Sequence, residues 1–227
     1  MFYDSTMLIL IPGVLLALWA QARIQAAYSK YSQVYAQSGI KAADAASAML
    51  RANGNDVVKV QPVKGTLTDH YDPRNETLSL SEGVYQSTSI AALGIAAHEA
   101  GHAMQKKEGH AMLGLRNAIV PVVNFGSRLS MPIFVLGLIM ALKPLVTVGI
   151  ALFSLTVAFT LITLPVEFDA SRRAIAMLNA GGFITREEEA GVRKVLNAAA
   201  LTYVAAALNA ILQLARLVLL ARGRDRD

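Results

Sequence analysis

The sequence contains no cysteine, which excludes disulfides, thiolate metal ligands and cysteine nucleophiles together. Any metal site must therefore be built from histidine and carboxylate. Charge is also scarce. Only 16% of the residues are Asp, Glu, Lys or Arg, against about 25% in an average globular chain. Hydrophobic residues make up 54% and the mean hydropathy is +0.43. Such a composition excludes a disordered chain and argues against an ordinary soluble enzyme. The net charge of +5 in so apolar a chain reads as membrane orientation rather than nucleic-acid binding.

Where charge is missing altogether, the membrane segments are expected. Ser5–Ala22, Pro144–Val166 and Val195–Ala215 carry no charged residue. Each meets the roughly 17–25 residues needed to cross a hydrocarbon core. A shorter run, Leu129–Leu142, either is re-entrant or extends back through Arg128 to Asn117, with Pro121 and Pro132 as kinks. With the next run it reads as a helical hairpin turning at Lys143-Pro144. Ala20-Gln21-Ala22 has the look of a signal-peptidase site, but Met1–Asp4 offers no Lys or Arg, so an uncleaved anchor is expected.

Basic residues orient these segments. Arg23, Lys30 and Lys41 follow the first one, whereas only Asp4 precedes it, which predicts an outside N-terminus and a cytoplasmic 23–128 region. Arg172, Arg173, Arg186, Arg193 and Lys194 again fall inside. The final segment conflicts with the rule, because one crossing would put Arg216, Arg222, Arg224 and Arg226 outside, against only Asp225 and Asp227. The organisation expected is an anchor at 5–22, a cytoplasmic region at 23–128, a membrane hairpin at 129–166, a connection at 167–194 and a last membrane helix at 195–215.

Between anchor and hairpin the pattern is mostly helical. Tyr28, Tyr31 and Tyr35 mark one face of a helix over 26–37, and Lys41–Ala52 is a second, closed by Asn53-Gly54. Val57, Val58 and Val60 suggest a strand ended by Pro62. Leu67–Tyr71 and Thr77–Leu80 flank the turn Asp72-Pro73-Arg74-Asn75 and should form a small hairpin. Ser79-Leu80-Ser81-Glu82 is a capping-box pattern opening a short helix. A longer helix is expected from near Ser87 to about Lys107. Glu187-Glu188-Glu189 after Thr185 reads as a helix N-terminus favoured by the macrodipole.

Two of the four histidines lie on that longer helix, in Ala97-His98-Glu99-Ala100-Gly101-His102-Ala103. This is an HExxH motif. Positions i and i+4 stand one above the other, so both imidazoles reach one zinc ion. Glu99 sits beside them, free to take a proton from the zinc-activated water instead of ligating. A catalytic zinc needs a third protein ligand. Glu108 and His110 are local candidates, and Glu167, with Asp169 as its rival, is a distant one just after the hairpin. His70 and Tyr71 are candidates for contacting substrate or an oxyanion beside an edge strand. A membrane zinc endopeptidase is thus one reading, and a membrane adaptor or scaffold with a structural or vestigial zinc site is another. Glu99 separates them, since a purely structural site requires no base at that spacing.

The segments Leu67–Arg74, Ala96–Ala103, Pro121–Ser127 and Leu164–Ser171 resemble the bacterial membrane neutral zinc metallopeptidases, the zinc peptidase type 2 family. That family is distantly similar to the stress protease HtpX and the CAAX prenyl proteases. The uncharged runs and local patterns predict a mostly α integral membrane protein with about four membrane helices and a small β-hairpin or edge strand, and the resemblance implies a gluzincin-like core within it. The resemblance also implies Zn2+ held by His98, His102 and Glu167, with Glu99 as the base, in a bacterial cell membrane, and the multi-pass membrane setting suggests a peptide or membrane-protein substrate. One position departs from the pattern: HtpX-like proteins usually carry Asp four residues after the ligand Glu, and here that residue is Ser171.

Overall fold

The computed structural model describes residues 5–223. Asp4, read as the outer flank of the first segment, and Arg224, Asp225, Arg226 and Asp227, counted at the last one, lie outside the described residues. The structure is 75% helical, with a small three-stranded sheet. Among the described residues four helices are long and apolar enough to cross a membrane, spanning Thr6–Tyr31, Ala111–Ile139, Lys143–Ala180 and Arg186–Gly223. Two compact units divide the chain: Met1–Gln21 with Leu115–Leu164 and Leu201–Asp227, and Ala22–Gly114 with Pro165–Ala200.

The first unit is built from apolar helix. A 3-10 turn, Ser5–Leu10, leads into α1 (Ile11–Tyr31). The short run near residue 129 belongs to a longer helix, α5 (Ala111–Ile139), with Pro121 and Pro132 both inside it. A turn at residues 140–142, where Ala141 takes a positive φ of 56°, reverses the chain into α6 (Lys143–Ala180). Two glycines close this hairpin. A Cβ at Gly149 would lie 2.7 Å from Phe134 Cβ, and one at Gly137 would lie 2.6 Å from the Val146 nitrogen. Phe134, Val146 and Leu217 form the buried cluster. Asn209 Nδ2 donates to the Gly13 carbonyl at 3.1 Å, which joins α7 (Arg186–Gly223) to α1 by a polar bond. Leu15, Leu18, Phe125 and Ile139 remain exposed on the outside, as befits a surface whose solvent is lipid.

The second unit has a conventional core. Along α2 (Ala42–Ala52) the buried residues Ala42, Ala43, Ala45, Ala46, Met49 and Leu50 recur at helical spacing. The mostly alanine face lets α2 approach α4 (Ile90–Lys107) closely. Strands β1 (Lys59–Val63), β2 (His70–Asp72) and β3 (Thr77–Ser81) are ordered β1-β3-β2, with β1 parallel and β2 antiparallel to β3. The expected hairpin is thus present, with its first strand shorter than anticipated. Pro62 lies within β1 and does not end it, because β1 is an edge and need not donate on both sides. Leu78 and Leu80 point into the core. Helix α3 (Glu82–Tyr85) has Ser81 at its N-cap position, two residues past Ser79, the first residue of the capping-box pattern. Ser89 caps α4 by accepting from the Ala92 N–H. At the start of α7, Glu188 N–H donates to Thr185 Oγ1 while Thr185 N–H donates to Glu188 Oε2, a reciprocal capping box.

Candidate metal centre

Helix α4 presents His98 and His102 on one face, with ring centroids 4.8 Å apart and planes nearly perpendicular at 84°. Glu99 follows His98 directly and is partly buried. Facing them on α6 is Glu167, 2% exposed. Its Oε2 lies 3.2 Å from His98 Nε2 and 3.5 Å from His102 Nε2. All three ligand atoms fall within 4.8 Å of one another, a cluster able to hold a metal ion. The two separations to Glu167 suit zinc. Two donors at ~2.0–2.1 Å from a tetrahedral zinc are roughly 3.3 Å apart, close to both separations. Two imidazoles and a carboxylate also match the ligand chemistry of a catalytic zinc, which keeps a fourth position for water or substrate. Burial opposes a charge on His102. The hydrogen bond to Glu167 and the carboxylates of Glu99 and Glu167 outweigh it and raise the imidazole pKa above its ordinary value. The carboxylates of Glu99 and Glu167 thus favour positive charge at this point.

The two helices meet closely enough for this because position 101 lacks a side chain. A Cβ on Gly101 would lie 2.7 Å from the Ala170 carbonyl oxygen and 3.2 Å from its Cα. Ala170 is one helical turn beyond Glu167, so the contact sets the carboxylate's approach to the imidazoles.

Each imidazole is also held from behind. His98 Nδ1 is 3.1 Å from Ser171 Oγ, so the residue that departs from the HtpX-like pattern still reaches the histidine. His102 Nδ1 is 3.0 Å from Gln105 Oε1. Gln105 is fully buried and donates through Nε2 to the Val166 carbonyl at 2.8 Å and to Asp169 Oδ2 at 2.9 Å. Sequence reasoning missed this residue. The available signal was its spacing: it stands seven residues beyond His98 and three beyond His102, on the same helix face.

The other candidates go elsewhere. Glu108 pairs with Arg173 at 2.6 Å. Asp169 is bound by Arg172 and by Arg173, the latter at 2.6 Å, and His110 Nε2 lies 3.7 Å from it. On β2, His70 is exposed with Nδ1 2.8 Å from the Thr68 carbonyl. The Tyr71 hydroxyl donates to Glu76, which also pairs with Lys106 of α4. Burial and the Glu76 carboxylate push the Tyr71 pKa well above the usual phenol value. The structure therefore brings His98, Glu99, His102 and Glu167 together and engages His70 and Tyr71 in contacts of their own.

Comparison with known proteins agrees in kind. The family described as "Putative neutral zinc metallopeptidase" matches residues 6–222. The chain is 49% identical over 213 residues to the "Putative membrane protease YugP" of Bacillus subtilis (strain 168), covering 93% of this chain and 95% of that protein. No solved structure matches.

Proposed function

The chain belongs to the neutral zinc metallopeptidase family, and on that premise we propose that it is a membrane-embedded endopeptidase cleaving peptide bonds at a cytoplasm-facing zinc site. The observation that carries this reading is the meeting of His98 Nε2, His102 Nε2 and Glu167 Oε2 at separations suited to one ion, with Glu99 adjoining. His98, His102 and Glu167 hold the metal. When bound, zinc supplies Lewis acidity, which acidifies a water and polarises a carbonyl.

Glu99 is the base. It takes a proton from the attacking water and passes it to the amide nitrogen as the C–N bond breaks. The water oxygen ends on the acyl carbon, and the new amine leaves with the proton that Glu99 carried. Glu167 offsets part of the metal's charge from a buried position, while Ser171 and Gln105 hold the rings so that both Nε2 atoms face the same point.

The basic residues Arg23, Lys30 and Lys41 after the first membrane helix support an outside N-terminus and a cytoplasmic catalytic region. A site on a chain with four membrane-length helices favours membrane proteins or membrane-proximal peptides as substrates. Purified protein in detergent should hydrolyse an unfolded membrane-protein substrate, lose this activity to a zinc chelator and regain it with one equivalent of zinc. A zinc-replete preparation that cleaves nothing would instead favour the adaptor with a structural site.

A further inference from the structure

We infer that Gln105 is a positioning residue that fixes the proton of His102 on Nδ1, and so dedicates Nε2 to the metal. The inference rests on the zinc reading of the site but is carried by a separate geometry. An amide side chain has one acceptor end and one end with two donor hydrogens. The donor end of Gln105 is committed. Its two partners, the Val166 carbonyl and the Asp169 carboxylate, only accept here, the carboxylate being ion-paired with Arg172 and Arg173. Turning the amide over would set its oxygen against two acceptors inside a fully buried pocket, with both left unpaired by the amide. Oε1 must therefore face His102, and an oxygen without hydrogen requires a proton on Nδ1 across the 3.0 Å contact.

His98 has no such constraint, because the Ser171 hydroxyl at 3.1 Å can either donate or accept. The two histidines are thus held differently: His98 adapts, and His102 is set. The same amide also ties α4 to the first residues around Glu167 on α6, through Val166 and Asp169. One side chain therefore fixes both the ring and the segment bearing the third ligand. Outer partners of metal-bound histidines typically contribute 10–100-fold to metal affinity.

Two variants separate positioning from plain packing. Gln105→Met fills the space without hydrogen bonds. Gln105→Glu keeps an acceptor for His102 but places a second carboxylate beside Asp169, and should melt at the lower temperature. Zinc affinity, read by chelator competition, should fall roughly 10–100-fold in Gln105→Met and less in Gln105→Glu, the reverse of their order in stability. Affinity within twofold of wild type in Gln105→Met, or weaker binding in Gln105→Glu than in Gln105→Met, would overturn the inference. Nitrogen NMR of ring-labelled, metal-free wild type, recorded at a pH where the His102 ring is neutral, reads the same point without a variant: the single ring proton should sit on Nδ1, and a bare Nδ1 would refute it. If wild type takes up no zinc, the metal reading fails, and this proton still decides the role of Gln105.

Discussion

At the scale of single residues, the site depends on which carboxylate completes it. Glu167 shares its Oε2 between two imidazoles, whereas Glu108 is spent on Arg173 and His110 faces Asp169. Zinc content of purified Glu167→Ala should accordingly drop to a small fraction of one per chain, while Glu108→Ala and His110→Ala stay near wild type. Metal analysis of the three proteins checks this, and zinc lost from Glu108→Ala or His110→Ala but kept in Glu167→Ala would place the third ligand on α4 or just beyond it. His98, Glu99 and His102 were legible in the sequence because their geometry is local: a four-residue spacing on one helix. Glu167 was not legible in that way. It lies far along the chain, nothing in the spacing chooses it over Asp169, and only the family resemblance singled it out. Gln105 was missed, and Ser171 was noted only as a departure from the HtpX-like pattern, because the importance of each lies in the partner it meets, which spacing alone does not reveal.

At the scale of elements, the close approach of α4 and α6 is what aligns ligands from two helices. Gly101 is the point of contact, and the atoms opposite are the backbone of Ala170, which cannot rotate away as a side chain can. Gly101→Ala should destabilise the protein by about 1–3 kcal/mol and weaken zinc binding as Glu167 is pushed back. Gly114→Ala, on α5 where a Cβ meets nothing within 4 Å, should instead be stabilising by roughly 0.5–1 kcal/mol. Thermal melting of the two variants side by side tests the pair, and equal shifts would contradict the close-contact account. The sequence showed most elements but not all of their limits. Pro62 suggested a break in β1 that the structure does not have, whereas Pro121 and Pro132, read as kinks, lie inside α5. The helix face marked by Tyr28, Tyr31 and Tyr35 ends at Tyr31, and Tyr35 instead forms an isolated bridge with Ser89, a tertiary contact that periodicity does not reveal.

At the scale of the whole molecule, membrane class followed from where charge is absent, and four apolar helices of sufficient length bear it out. Orientation rests on the basic residues after the first of them. The chain has no native cysteine, so a single Gln33→Cys, at an exposed position, should resist an impermeant thiol reagent in intact cells and react once the cytoplasmic side is opened. Labelling in intact cells would put the zinc site outside. The central claim is that this membrane protein carries a working peptidase site whose base is Glu99, and the decisive measurement is zinc content together with peptide hydrolysis in purified Glu99→Gln. The substitution leaves His98, His102 and Glu167 in place, so the account predicts about one zinc per chain, as in wild type, with turnover reduced by at least ~10²-fold. Turnover equal to wild type at full zinc occupancy would contradict it.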